Sequence, residues 1–262
     1  MAGEAQRVGP GVGPLLSVRG LTLEYAQRRI FASECTETLA LRDISFDLRS
    51  GKTLVLFGPS GSGKSSLARC LVLLERPHQG QILYKGHDLL SLGRKALKSA
   101  RREIHLIFQD SGSSLNPRFT VAELVAEPLV IHKALESQGE IDKRVRTVLN
   151  QVELGRGFLE RRSSELSGGQ RQRVAIARAI VLRPTLLILD EALSSLDLST
   201  QGQIANLLLD LQEQYSLAYL YVTHDLRLGS ALADEVAEIR DGRIVRQDMP
   251  SIVLTANLQP VS

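Results

Sequence analysis

Thr53-Leu54-Val55-Leu56-Phe57-Gly58-Pro59-Ser60-Gly61-Ser62-Gly63-Lys64-Ser65 is the stretch from which the rest of this chain is read. Residues 53–57 are a short, continuous apolar run, as expected of a strand buried on both faces. Residues 58–65 fit G-x-x-x-x-G-K-[ST], with Gly58, Gly63, Lys64 and Ser65 at the fixed positions. Glycines let a backbone wrap closely around a phosphate. The amides over 61–65 then point inward, and a helix predicted over 64–74, stopped before Pro77, adds its positive N-terminus. Lys64 would place a point charge on the β- and γ-phosphates of a nucleotide, and the Ser65 hydroxyl would ligate Mg²⁺. The candidate phosphate loop is Gly58, Pro59, Ser60, Gly61, Ser62, Gly63, Lys64, Ser65 and Ser66. A chance glycine-rich turn is the alternative, and the strand before it and the helix after it count against that.

Working outward, Leu186-Leu187-Ile188-Leu189 is a second apolar strand, and it ends in Asp190-Glu191. Alone, that acidic pair would be a solvated cap on the next turn. Paired with a phosphate loop, Asp190 becomes a candidate Mg²⁺ ligand, as the strand-end acid is in P-loop ATPases. A third apolar strand at 217–222 is followed by Thr223-His224. Upstream of Asp190, Leu166-Ser167-Gly168-Gly169-Gln170 sits just before a helix predicted over 171–182, which Pro184 stops. Exposed amides and a serine hydroxyl at a helix N-terminus make an anion site. One chain already has a phosphate loop for its own nucleotide, so a second anion site wants a different phosphate. A Gly-Gly linker into a capped helix is the plainer reading.

The remaining pattern is strands alternating with helices. Residues 16–25 alternate as one or two strands, 44–48 as another, 81–84 and 88–89 as a small hairpin, and 104–108 as a strand. From 120 to 154 the pattern turns helical and charged, like a separate helical subdomain. Ile204, Leu207, Leu208 and Leu211 mark one helix face, and Asp241-Gly242 turns a hairpin over 238–244. The order predicts an α/β fold with a mostly parallel sheet. Ligands in such folds sit beyond the carboxyl ends of the strands. The phosphate loop, Asp190-Glu191 and His224 all come directly after strands.

Composition narrows the function classes. Hydrophobic residues are 43% and charged residues 23% of 262, as in ordinary globular chains. No run of about 18 apolar residues offers a membrane span. The segment before residue 15 is rich in Gly and Pro, without a signal-peptide core. Cys35 and Cys70 show no metal or redox spacing and read as reduced thiols. The net charge is +3, with arginines in scattered pairs, so charge does not argue for a nucleic-acid partner. His78, His87, His105 and His132 read as satisfied surface residues.

Taken together, the phosphate loop, Leu166 to Gln170 and Asp190-Glu191 resemble the ATP-binding-cassette (ABC) ATPase family. The resemblance runs from about residue 15 to 245. It implies a P-loop NTPase (RecA-like) core with an N-terminal antiparallel β part and an α-helical subdomain over about 110–180, between a tail at 1–14 and a tail at 246–262. It implies ATP and Mg²⁺ as cofactors, with Ser65, Gln109 and Asp190 around the metal. Glu191 would polarise the attacking water, His224 would touch the γ-phosphate, and Gln109 would link the core to the helical subdomain. Ser167, Gly168, Gly169 and Gln170, with Leu166, would contact the ATP of a partner subunit, Asp197 would lie at the dimer seam, and Tyr25 would stack on adenine. Ala192-Leu193, where most members carry Pro-Thr, is similar to the branch importing peptides and nickel, as are residues 108–117 and 224–228. Arg69 to Glu75 and Asp225 to Leu228 resemble the second ATPase of nickel importers, one of the shorter members of that branch. The implied setting is the cytoplasmic face of a bacterial inner membrane. The implied partners are a homologous second ATPase, two permease subunits and an extracytoplasmic solute-binding protein. The implied cargo is nickel or a nickel or cobalt chelate, with dipeptide or oligopeptide import as the alternative and a non-transport ABC ATPase as a weaker one.

Overall fold

The structure is a computed structural model and describes residues 13–28, 35–109 and 115–250. Most of the expected tail at 1–14, part of the segment at 108–117 and the end of the expected tail at 246–262 lie outside these residues.

Two sheets form. A four-stranded antiparallel sheet has the order β2-β1-β4-β5, from β1 (Leu16–Arg28), β2 (Cys35–Leu48), β4 (Gln79–Tyr84) and β5 (His87–Asp88). A six-stranded sheet has the order β10-β9-β3-β8-β7-β6. Its members are β3 (Thr53–Phe57), β6 (Ile104–Ile107), β7 (Leu186–Asp190), β8 (Ala218–Thr223), β9 (Glu235–Arg240) and β10 (Arg243–Asp248). Every pairing in it is parallel except β9 with β10. The segment at 16–25 is thus one strand, and β10 runs to Asp248, past the expected boundary at 245.

The strand sequences explain the layering, because successive side chains point to opposite faces. Val55, Phe57, Leu187, Leu189, Tyr219 and Tyr221 join one apolar core with the helices that come after β6. Leu54, Leu56, Leu186, Ile188, Leu220 and Val222 join a second core, shared with the antiparallel sheet and with Leu67 and Leu71 of α1 (Lys64–Leu71). The sheet is therefore buried on both faces, which is why its strands read as apolar runs rather than alternations.

Among the described residues the remaining α-helices are α2 (Arg94–Glu103), α3 (Val121–His132), α4 (Gln138–Gln151), α5 (Gly168–Ile180), α6 (Leu198–Tyr215) and α7 (Leu226–Ser230). Three begin with a serine or threonine whose hydroxyl accepts from the amide three residues on, while that residue's side chain accepts in return. These pairs are Thr120 with Glu123, Ser137 with Glu140, and Ser167 with Gln170. Ile204, Leu207, Leu208 and Leu211 of α6 are buried, as their spacing predicts. Among the described residues no helix is long and apolar enough to cross a membrane.

Candidate active site

The strand ends assemble the chemistry. β3 pairs with β8 on one side and β9 on the other, and β7 lies beyond β8, so Gly58, Asp190 and His224 lie at the ends of neighbouring parallel strands, on one edge of the sheet.

The loop after β3 is held by close packing. A Cβ on Gly58 would lie 2.1 Å from the Ile239 carbonyl oxygen, and one on Gly63 would lie 2.3 Å from that of Ala40. Gly63 also takes φ 101, a region that side chains disfavour. No side chain caps α1 at Gly63, so its first amides keep their donors for another acceptor. Lys64 is buried, and its ammonium donates to the Gly58 and Pro59 carbonyls, each at 2.8 Å. Burial lowers the pKa of this lysine, while Glu191 and Asp190 act to raise it. The cation is thus stored inside the loop, beside two carboxylates.

Ser65 Oγ donates to Asp190 Oδ1 at 3.0 Å, which brings together two of the three residues expected around Mg²⁺. Asp190 is buried. Its pKa is raised by burial against the pull of the Ser65 hydrogen bond, and Glu191 raises it further. A buried carboxylate and a hydroxyl form a hard oxygen donor set of the kind Mg²⁺ takes, so the residues fit that ion. Gln109 lies two residues past the end of β6, exposed in a bend. Among the described residues no hydrogen bond joins it to Ser65 or Asp190.

Glu191 takes φ 48, a left-handed conformation that costs a side-chain-bearing residue about 1 kcal/mol. Three contacts hold it there. Its amide donates to the Val222 carbonyl at 2.9 Å, and its own carbonyl accepts from the Ser194 amide at 3.1 Å and the Ser194 hydroxyl at 2.8 Å. The carboxylate Oε2 then meets His224 Nδ1 at 3.2 Å. Ser194 is a positioning residue that the sequence reading missed. Its place three residues after Glu191 was the available signal, because a Ser at that spacing closes a turn onto the carbonyl.

Leu166 to Gln170 falls elsewhere. The motif does not precede its helix, as expected, but opens it: Ser167 is the N-cap and Gly168 the first helical residue. The capping box is the physical reason. Ser167 Oγ accepts from the Gln170 amide at 3.3 Å, and Gln170 Oε1 accepts from the Ser167 amide at 2.9 Å. Gly168 and Gly169 face the start of α6, where added Cβ atoms would lie 3.5 Å from Leu196 and 2.6 Å from Thr200 Cγ2. Asp197 caps α6 by accepting from the Thr200 amide at 3.0 Å and hydroxyl at 2.7 Å. The motif at 166–170 and the start of α6 capped by Asp197 thus meet, and among the described residues no hydrogen bond joins residues 166–170 or Asp197 to Lys64, Ser65, Asp190, Glu191 or His224.

Tyr25 is partly exposed at 37%, and its hydroxyl lies 3.1 Å from Ser66 Oγ and donates to Glu75. The strand thus sets the ring beside α1. Two of the histidines differ from expectation. His105 contacts the Arg102 carbonyl and burial depresses its pKa to about 4, while His132 Nδ1 is buried without a hydrogen-bond partner. His78 accepts from the Glu24 amide at 3.2 Å. Cys70 is a free, buried thiol with its pKa pushed up to about 12 by burial.

A phosphate loop on a parallel sheet, two strand-end acids, a histidine on the next strand and a separate capped glycine turn define an ABC ATPase cassette. The ABC transporter family matches residues 41–194, and the chain belongs to it. It is 43% identical over 241 residues to the nickel import ATP-binding protein NikE of Shigella sonnei, covering 92% of this chain and 89% of that one. It is 45% identical over 233 residues to the glutathione import ATP-binding protein GsiA of Salmonella paratyphi A. That alignment spans 88% of this chain and 37% of the longer relative. Among solved structures, the dimeric post-hydrolysis state of the ATP-binding cassette MJ0796, bound to ADP and phosphate, superposes with TM-score 0.79. Its identity is 29%, with 90% of this chain and 98% of that one covered.

Proposed function

We propose that this chain is the ATP-hydrolysing subunit of an ABC importer, and that its cargo is nickel or a nickel or cobalt chelate. The carrying observation is that one chain has two candidate phosphate sites on different elements, the loop after β3 and the capped start of α5. The loop at 58–66 faces its own nucleotide, while Ser167 to Gln170 presents a capped helix start with no phosphate loop beside it. Two cassettes facing each other complete both sites. ATP is held by the loop amides and Lys64, and Mg²⁺ by Ser65 and Asp190, with Gln109 beside them. Bound there, the metal would neutralise charge on the phosphates. Glu191, fixed by Val222 and Ser194, accepts the proton of the attacking water, and His224 touches the γ-phosphate. Ser167 and Gly169 of the facing cassette close on the γ-phosphate, and Asp197 sits at the seam. Phosphate loss releases the contact, as in other phosphate switches.

A groove of about 260 Å³ between β6, α3 and α5, lined by Phe108, Pro128, Ile131 and His132, supports permease docking beside Gln109. Ile131 is exposed there at 58%, as at a surface awaiting a partner. The membrane-facing setting is thus the cytoplasmic face, with two permease subunits, a homologous second ATPase and an external solute-binding protein. Similarity to NikE over nearly all of both chains favours nickel. Similarity to GsiA favours a second reading, import of glutathione or other peptides. The test is labelled nickel uptake in cells carrying the whole transporter, wild type against Glu191→Gln, with dipeptides and glutathione as competitors. Uptake lost in the variant and untouched by the competitors supports nickel; equal uptake in both strains rules it out.

A further inference from the structure

Beyond the nucleotide site, a cavity of about 470 Å³ opens between α3, α4 and the end of α5. Leu129, Leu135 and Leu182 give it apolar walls, and Arg102, Lys143, Arg144 and Arg183 converge on it. None of these residues belongs to the ATP cluster. Its single lining carboxylate, Glu140, is already committed. Glu140 Oε2 accepts from the Ser137 amide at 3.1 Å and hydroxyl at 3.0 Å, capping α4.

One of the four cations has a structural task. Arg144 Nε donates to the Val181 carbonyl at 2.9 Å and Nη2 to that of Ile180 at 3.1 Å, closing the end of α5. Burial lowers the pKa of this guanidinium, and the neighbouring Arg183 lowers it further, so like charges crowd here. The other three have no such task. Among the described residues, the side chains of Arg102, Lys143 and Arg183 make no hydrogen bond and no ion pair within 4.0 Å. Arg183 also stands at φ 56 just past the helix, where glycine or asparagine is the usual choice. Four cations thus line the cavity against one carboxylate, with Glu103 near Arg102, and the surplus of positive charge favours an anion from outside. Guanidinium forks match phosphate oxygens in pairs, and the apolar walls suit an organic body of ligand size.

We infer that this cavity binds an organic phosphate. The phosphate has two physical sources: an acidic phospholipid headgroup, or a soluble organic phosphate.

The experiment uses the full chain with its phosphate loop saturated by ADP. Inositol hexakisphosphate is titrated calorimetrically, and vesicles of phosphatidylglycerol or of phosphatidylcholine are sedimented with the protein. Each is repeated with Arg102→Gln/Lys143→Gln/Arg183→Gln. Lys143→Glu, at an exposed position of α4, is a second variant in case the triple one loses ADP affinity. The site predicts binding weakened roughly tenfold in the triple variant, with ADP affinity unchanged. Weakening confined to the soluble probe assigns a soluble phosphate. Weakening confined to phosphatidylglycerol vesicles assigns the lipid, and weakening of both assigns the shared phosphate group. Absence of binding to either probe, or equal binding by wild type and variants, overturns the proposal.

Discussion

Asp190 meets two opposing demands. Its carboxylate is buried at the end of β7, where burial and Glu191 favour the protonated form, yet holding a metal needs the charged form. A carboxyl with a raised folded pKa binds more protons folded than unfolded above its ordinary value of 3.8. Stability therefore falls as pH rises through the window between 3.8 and the raised value, and stays lowered above it. Asp190→Asn should raise the thermal midpoint of the nucleotide-free protein at neutral pH by a few degrees. The gap from wild type should narrow as the pH is lowered, while ATP hydrolysis is lost. Thermal melts across pH check this, and an Asn variant less stable than wild type at neutral pH contradicts it. Most of this cluster was legible in the sequence, because Lys64, Ser65, Asp190 and His224 each come after an apolar strand at a fixed offset. The left-handed turn at Glu191 and its support by Ser194 were not. Backbone conformation at one residue leaves no mark in a hydrophobic pattern.

Among the elements, the start of α5 packs closely against the start of α6. An added Cβ on Gly169 would lie 2.6 Å from Thr200 Cγ2, closer than such atoms approach. Alanine also favours a helix over glycine by up to about 1 kcal/mol, so the two effects oppose. Gly169→Ala should therefore leave nucleotide-free stability little changed. Adding Thr200→Ser removes Cγ2 and keeps the hydroxyl on Asp197, and the alanine should then become stabilising. Chemical denaturation of all four proteins should give a coupling of about 1 kcal/mol; additive effects would contradict the packing argument. Element boundaries show where the sequence reading was weak. The apolar run at 53–57 matches β3 residue for residue, because a doubly buried strand has no polar face to blur it. Helix α2, Arg94–Glu103, was not anticipated. Only Ala100 of it is buried, and its apolar side is just Ala96, Leu97 and Ala100 among basic residues, too short a stripe to stand out. Helix α5 begins three residues earlier than expected, since the Ser167 capping box lets two glycines start a helix that their propensity opposes.

At the scale of the whole molecule, one doubly covered sheet carries the phosphate loop and both acids, and the helices after β6 carry Ser167. In the proposed arrangement a closed nucleotide site therefore takes a second molecule. Ser167→Arg places a bulky cation at that helix start, away from the chain's own phosphate loop. It should leave ATP affinity unchanged, as measured by equilibrium binding of a fluorescent nucleotide, and abolish ATP-driven association with the partner cassette. Retained association would contradict the facing-cassette arrangement. The division of the fold was legible because strands and helices alternate on either side of a charged helical block. The cargo was not, since no residue of the ATP cluster has reason to touch it.

The most direct test of the central claim is phosphate release by this chain in complex with its permease, wild type against Glu191→Gln, with ATP affinity measured on the same samples. The account predicts unchanged affinity and turnover lowered about a hundredfold or more, the loss expected for a positioned general base. Turnover equal to wild type, at equal affinity, would remove Glu191 from the chemistry and contradict the account.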